Sequence, residues 1–424
     1  MCAPKAEQDW TARLFCGAVF LLPLVCWPQA ASAFAAPKML LLAVLDLGLA
    51  AALLTGKFRA SAAPPEDWLA LAWVAAVSIS ALAGVILNFD SLLLALLPVP
   101  VFWCIARGLV SLNSLARAVW LGTTCEALIV LLQFGGLDPL QALGWRPEAF
   151  PSPRMRAYGT LGNPDFVAAW CCAALPLCWW EIACSSKSRR ALVLRWGAAV
   201  LQIAAILATG SRVFALAILV QAALVAWRSR AKGVWLWAPP LAAALLLVSS
   251  ARPLAVTVEG RLYLARVTAG HWQTPLAGYG PGAFEDRFAV WQAEWLEAHR
   301  EDSGAARFAG AIDHAHNDYL EFLVEYGPVG LGAFVVLAGW LAASAWRRPR
   351  PPGNLGCAAL IGAATLLAIA AVDFPFHRPA EWSLLWLFLG ILATARAKTR
   401  SVGDVNQVQT DRSCRGAFAG AGGS

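Results

Sequence analysis

The stretch Leu192–Trp227 reads "LVLRWGAAVLQIAAILATGSRVFALAILVQAALVAW". Two apolar runs, Leu192–Thr209 and Val213–Trp227, are parted only by Gly210, Ser211 and Arg212. Each run is near the roughly 17–25 residues that carry a helix across a bilayer. A chain that turns back on itself with almost no loop between two such runs reads as a pair of membrane helices. Further runs of the same kind, such as Lys38–Thr55 and Trp68–Leu87, occur along the chain.

Composition agrees. Of 424 residues, 59% are hydrophobic and 14% charged, with 21 tryptophans. An ordinary soluble domain carries about 25% charged residues. The sequence predicts an all-α polytopic membrane protein with twelve spans. They are Leu14–Ala33, Met39–Thr55, Trp68–Leu87, Leu92–Leu109, Ala118–Phe134, Asp165–Ala183, Leu192–Thr209, Val213–Trp227, Val234–Ser249, Tyr319–Ala345, Leu355–Val372 and Trp382–Ala395. Residues 1–398 form the membrane domain, and the polar, then Gly/Ala-rich segment 399–424 reads as a disordered tail.

The net charge of +7 is explained by position rather than by nucleic acid, which is not an expected partner. Alternate connections hold Lys57 and Arg59; Arg107 and Arg117; Lys187, Arg189, Arg190 and Arg195; Arg228, Arg230 and Lys232; Arg347, Arg348 and Arg350. The other short connections hold only Lys38; Arg146, Arg154 and Arg156; Arg212; and Arg378. Basic residues favour the cytoplasmic side, so the first set is cytoplasmic and both termini lie there, as twelve spans require. The start, with Lys5, Arg13 and "ASAFAA", also resembles a cleavable secretory signal, but the charge alternation works with the first span retained. Most of the eleven cysteines lie inside apolar runs, and no doubled C-x-x-C pattern suggests a zinc ribbon.

Two non-cytoplasmic segments are long, Gly135–Pro164 and Ser250–Asn317. The second contains "EDRFAVWQAEWLEAH", with Phe288, Trp291 and Trp295 at helical spacing. It reads equally as a helix lying in the membrane interface or as one packed on the bundle. "GYGPG" resembles a nucleotide fingerprint only superficially, because no strand precedes it; Gly278, Gly280 and Gly282 read as turn residues. Asn163 followed by Pro164 reads as a helix start.

"DHAHNDYLEFLVEYG", Asp313–Gly327, gathers two of the five histidines and four carboxylates at the mouth of one apolar segment. Asp318 and Glu321 fit a helix cap of the capping-box kind. Glu321 and Glu325 are four apart and share a face that cannot point at lipid. His316 lies just before the helix, and histidine suits proton transfer near neutral pH. In an extended chain His314 and His316 point the same way and could share an ion with Asp313 or Asp318. No third histidine or cysteine stands at a recognisable spacing, so no metal is expected. Arg212, at the outer end of the hairpin, reads as a fork for phosphate oxygens or as a snorkelling side chain. Arg261, Arg266 and Arg156 lie on the same side. A base and an arginine cluster at one membrane face suit a lipid-borne phosphate substrate and a hydroxyl to be deprotonated.

Taken in order, "GTLGNPD", "TGSR", "GRLYLARVTAGHWQTPLAGYGPGAF", "HAHNDYLEFLVEYGPVGLGAF" and "VDFPFHRPA" resemble the bacterial family of O-antigen ligases, O-antigen polymerases and protein O-oligosaccharyltransferases. They span Gly159–Ala380, just over half of the chain. The resemblance implies a GT-C-like glycosyltransferase of the inner membrane, with a large periplasmic loop between the ninth and tenth helices. It would use an undecaprenyl-diphosphate-linked glycan, with membrane lipids around it and without cofactor or metal. His316 would activate the acceptor hydroxyl, Arg212 and Arg261 would hold the diphosphate, and His314 would support the base. Arg156, Arg266, Asn317 and Glu325 join His314 as expected substrate-binding residues. Lipid A–core ranks first as acceptor, ahead of a second glycan repeat or a protein hydroxyl. A transporter of lipid-linked glycans would instead call for internal repeats and broken helices near the midplane, and no such halves are evident.

Overall fold

The computed structural model describes residues 5–54, 65–146, 153–184, 188–229, 254–271, 273, 275–301, 303–347 and 354–394. The expected span Val234–Ser249, the tail 399–424 and Lys57, Arg59, Lys187, Arg230, Lys232, Arg348 and Arg350 lie outside them. Every regular element among the described residues is helical. In chain order the helices are α1 (Lys5–Leu21), α2 (Ala36–Leu54), α3 (Pro65–Ala83), α4 (Phe89–Leu96), α5 (Pro98–Ala106), α6 (Leu112–Phe134), α7 (Pro164–Ala183), α8 (Arg189–Thr209) and α9 (Val213–Ser229). Then come α10 (Leu254–Gly270), α11 (Ala283–Ala298), the single turn α12 (Ser303–Ala306), α13 (Asp318–Trp346), α14 (Leu355–Ile369) and α15 (Pro379–Thr394).

Six of these stretches are long and apolar enough to cross a bilayer, with α4 and α5 counting as one, and four shorter apolar helices accompany them. The chain is therefore a multi-pass membrane protein. The opening hairpin is present as read. Gly210 ends α8 in the left-handed region (φ 56°), where glycine pays no Cβ penalty, and Ser211 Oγ accepts the Val213 N–H to start α9. Asn163 caps α7 by accepting the Asp165 N–H, with Pro164 in the first turn. In the best-buried span 78% of residues are inside; this is α7, which packs against α6, α8, α9 and α14 and so forms the centre of the bundle.

One end of the bundle is tied by ion pairs: Arg107 with Asp67, and Arg117 and Arg195 with Glu181, the last at 2.9 Å. These arginines belong to the basic-rich set of connections. Arg212, His316 and the turn before α15 lie at the opposite ends of their helices.

Two features of the large loop position the site. First, α10 and α11 pack together. Phe284, Phe288 and Trp291 are buried against Tyr263, Leu264, Val267, Ala315 and Val324, with Trp295 half-buried beside them. The amphipathic stretch is thus a packed helix, the second of the two readings. Second, α13 is not one continuous helix: Gly327 is non-helical (φ 67°) and Pro328 follows it. The carbonyls freed by this break are taken up by neighbours, which a helix at membrane depth requires. Val324 O accepts the Tyr279 N–H, and Glu325 O accepts both the Gly280 N–H at 3.0 Å and the Ser80 hydroxyl at 2.6 Å. Gly278, Gly280 and Gly282 all have positive φ, as turn glycines should.

Candidate functional site

The site is built around the extended segment that leads into α13. Asn317 is the N-cap: its Oδ1 accepts the N–H groups of Tyr319 and Leu320, both at 3.1 Å. The expected cap of Asp318 with Glu321 is corrected here. Asp318 is fully buried and accepts instead from the Phe376 N–H at 2.8 Å, with His377 Nδ1 2.6 Å away. Glu321 reaches back past the cap, to the Ala315 N–H and to His314 Nδ1 at 2.7 Å. Both carboxylates have tertiary partners, and Asn317 is left to close the helix end.

His377 sits in the turn Pro375–His377 and is almost wholly inside. Around it are Asp318, Glu321 at 3.4 Å and Glu325 at 3.4 Å. Burial alone would pull its pKa down; the surrounding carboxylates outweigh this and hold it well above the ordinary histidine range. The turn is fixed from behind by aromatic packing of Phe376 on Phe322, Phe334 and Trp382.

His316 faces the other way. It is the only non-glycine residue with positive φ among the described residues (φ 50°). That left-handed turn breaks the extended run assumed for the H-x-H pair, so His314 and His316 do not converge on one ion. His314 stacks on the face of Phe374 at 4.2 Å, while His316 meets its edge. His316 Nδ1 lies 3.5 Å from Asp373 Oδ1 and its ring is 45% exposed. The other ring nitrogen is therefore the one left for chemistry. Asp373 Oδ2 accepts from Arg378 Nη2 at 2.7 Å. Burial would raise the Asp373 carboxyl, but Arg378 and His316 hold it well below the usual carboxylate range. Its ionised form is the one these partners favour, facing the imidazole.

Beyond His316 opens a cavity of about 340 Å³, lined by His316, Arg261, Thr257, Gly260, Tyr263 and Phe308 among others. Arg212 enters from the α8–α9 hairpin and donates to Thr257 Oγ1 at 2.8 Å, one helical turn before Arg261. Burial lowers the pKa of Arg261, the charge of Arg212 adds to this, and Asp373 and Asp165 oppose it. Four charges thus act on one small volume, two of them guanidinium forks suited to phosphate oxygens. The structure brings His316, Arg212 and Arg261 together from three separate parts of the chain.

Other expected site residues stand elsewhere. Arg266 is exposed and lines a different cavity with Glu259, Trp295 and Arg307, because five residues along α10 turn it away from Arg261. Arg156 is exposed beside Gly136, past the end of α6. Glu325 is buried against His377, and Asn317 is occupied as the cap. Sequence reasoning missed Asp373, His377 and Arg378 as site residues. The signal available was their density in the short apolar-flanked segment "VDFPFHRPA".

The ligand atoms of His314, Glu321 and His377 lie within 4.8 Å of one another. Two imidazoles and a carboxylate are a donor set that could hold a divalent transition ion, with Asp318 behind His377 as an outer-shell partner. His377 supplies the third ligand for which no sequence spacing gave a hint.

Residues 197–335 match the protein family described as O-antigen ligase. The matched segment runs from α8 through the hairpin, the large loop and His316 into α13. No curated protein matches the chain.

Proposed function

We propose, on the premise that this chain belongs to the O-antigen ligase family through residues 197–335, that it moves a glycan from an undecaprenyl-diphosphate carrier to an acceptor hydroxyl at the periplasmic face of the inner membrane. Lipid A–core is the acceptor this reading favours. At the coarser level, the family is one of lipid-linked glycan transferases, acting within the membrane.

The observation that carries the reading is the shared cavity of His316 and Arg261, with Arg212 alongside and Asp373 behind His316. With Nδ1 turned to Asp373, Nε2 of His316 takes the proton of the acceptor hydroxyl. The acceptor oxygen attacks the anomeric carbon as the bond from that carbon to the diphosphate oxygen breaks. The leaving diphosphate keeps the bonding electrons, and Arg212 and Arg261 stabilise its charge. One displacement gives inversion at the anomeric carbon. No step draws on a metal, and both termini are cytoplasmic on this reading.

Purified protein supplied with lipid-linked glycan and candidate acceptors tests it. The expected result is acceptor-dependent transfer with inverted anomeric configuration, unchanged in chelator. Retained configuration would sink the single displacement, and loss of transfer in chelator would move the chemistry to His314, Glu321 and His377.

A further inference from the structure

We propose that His314, Glu321, Glu325 and His377 bind a divalent transition ion of the zinc class, and that this ion ties the turn before α15 to α13 without taking part in glycan transfer. The site stands on its own geometry and does not depend on the transfer reading.

His377 is set up as a metal-bound imidazole. Its Nδ1 lies 2.6 Å from Asp318 Oδ1, and the other oxygen of that carboxylate accepts the Phe376 N–H. A histidine that donates one ring N–H to a buried carboxylate turns the lone pair of its other nitrogen outward, as in carboxylate–histidine–zinc arrangements. That other nitrogen, Nε2, faces two more carboxylates, with Glu321 Oε1 and Glu325 Oε2 each 3.4 Å away. A bare lone pair is repelled by two carboxylates, so a cation belongs between them. A charged N–H···O bond is about 2.7–2.9 Å long. The edge of a tetrahedron around an ion with ligands at about 2.0–2.2 Å is instead roughly 3.3–3.6 Å, and the separations at Nε2 match it. His314 completes the set: its Nδ1 is 2.7 Å from the same Glu321 Oε1, and the ligand atoms of His314, Glu321 and His377 all lie within 4.8 Å of one another. The ion takes the place of the proton that each ring holds toward Glu321. The two forms are exclusive: with the ion bound the rings give up these protons, and in chelator they keep them.

Charge asks for the same ion. The side chains of Asp318, Glu321 and Glu325 are buried, and among the described residues their ion-pair partners are imidazoles alone. Buried charges are costly unless they are fully paired. A dication offsets two of the three negative charges, where a proton on His377 offsets one. Two imidazoles among the ligands select a transition ion over magnesium or calcium, which take oxygen ligands. His314 is partly exposed, and it lines two cavities with His377, of about 330 and 430 Å³, which give an ion a way in. His314 stands two residues before His316, and His377 four residues after Asp373, so the ion ties together the two segments that carry the His316–Asp373 pair. The Phe376 N–H bond to Asp318 and the packing of Phe376 on Phe322 hold the same turn without it. The ion therefore adds stability to a site that is already formed.

The test uses the purified full chain in lipid nanodiscs, stripped with chelator, dialysed and loaded with zinc chloride. Bound metal is measured by elemental mass spectrometry, and affinity by competition with a chromophoric chelator. Wild type should retain about one zinc per chain, and excess magnesium should not displace it. Asp318→Asn, which removes the partner behind His377, should weaken zinc about 10–100-fold. Glu321→Gln and His314→Gln, which remove ligands, should weaken it at least as much; His314 is the most exposed of the set, so that variant reads the site with the least disturbance of the fold. His271→Gln, whose ring lies 3.4 Å from Glu294, should keep the wild-type affinity. Zinc should raise the melting temperature of wild type and leave that of His314→Gln unchanged. Wild type that retains no zinc, or His314→Gln and Glu321→Gln that hold it as tightly as wild type, would overturn the site. Glycan transfer by the stripped chain, at a temperature where it is folded, should equal that of the loaded chain; a loss that zinc restores would overturn the holding role. Zinc bound as described with no transfer by either form would contradict the transfer reading while leaving the metal site standing.

Discussion

At the scale of single residues, the decisive feature is which way each histidine faces. Asp373 fixes His316 through Nδ1, and the direction of that pair sets the role of the other nitrogen. Asp373→Asn keeps the shape but removes the charge that orients the imidazole. We expect a fall in kcat on the order of 10²-fold or more, the scale of a positioned general base, with little change in donor KM. An equal fall in kcat/KM through donor KM alone would contradict this role. His377 makes a separate prediction. Its folded pKa is raised by its carboxylates, so the stability it contributes is complete below its unfolded value and is lost as pH rises through the folded one. The melting temperature of the wild type should exceed that of His377→Gln at neutral pH, and the gap should close as pH rises into the alkaline range. A gap that closes toward acid would refute the charged assignment. The sequence displayed His316, Arg212 and Arg261 because each breaks a local expectation: polar or basic residues on an apolar, positive-poor face. It did not display the Asp318–His377 pair, because 59 positions separate partners that only packing joins. Nor could it choose Asn317 over Asp318 as the cap. Both residues suit that position, and the choice is made by what Asp318 meets in three dimensions.

At the scale of elements, the broken α13 and the "GYGPG" turn are one device. A continuous apolar run hides a break, because hydropathy responds to side chains and the break lies in backbone angles at Gly327 and Pro328. The turn that completes the break was legible as glycine-rich, but its target was not. Gly278 has φ 76°, and a Cβ there would collide with the backbone of Glu325 and Gly327. Gly278→Ala should therefore destabilise the protein by about 1–3 kcal/mol. Gly310→Ala, where a Cβ meets open space, should be near neutral. Thermal unfolding in detergent distinguishes the two, and equal melting temperatures would show that the turn does not lock α13. The large loop teaches the same lesson from the other side. Its amphipathic period marked α11 as a helix with an apolar face, while the surface covering that face, α10 and the start of α13, had to come from the fold.

At the scale of the whole molecule, the apolar runs were enough for an all-helical, multi-pass architecture, since a bilayer-spanning helix is specified largely by composition and length. The ion pairs of Arg107, Arg117 and Arg195 gather at one end of the bundle, and the cavity of His316 and Arg261, with Arg212 bonded to Thr257 on its wall, opens at the other. On the proposed reading, one end of the bundle carries the chemistry and the other the basic residues. Arg266 and Arg156 mark the limit of reasoning by side alone: both share the face, yet neither lines the cavity, because membrane side does not fix rotation about a helix or distance across the bundle. The measurement that bears most directly on the central claim is glycan transfer by purified His316→Ala and Arg212→Ala beside wild type, each first shown to be folded in the membrane. The account predicts that both variants insert normally and transfer nothing measurable; full transfer by His316→Ala would contradict it.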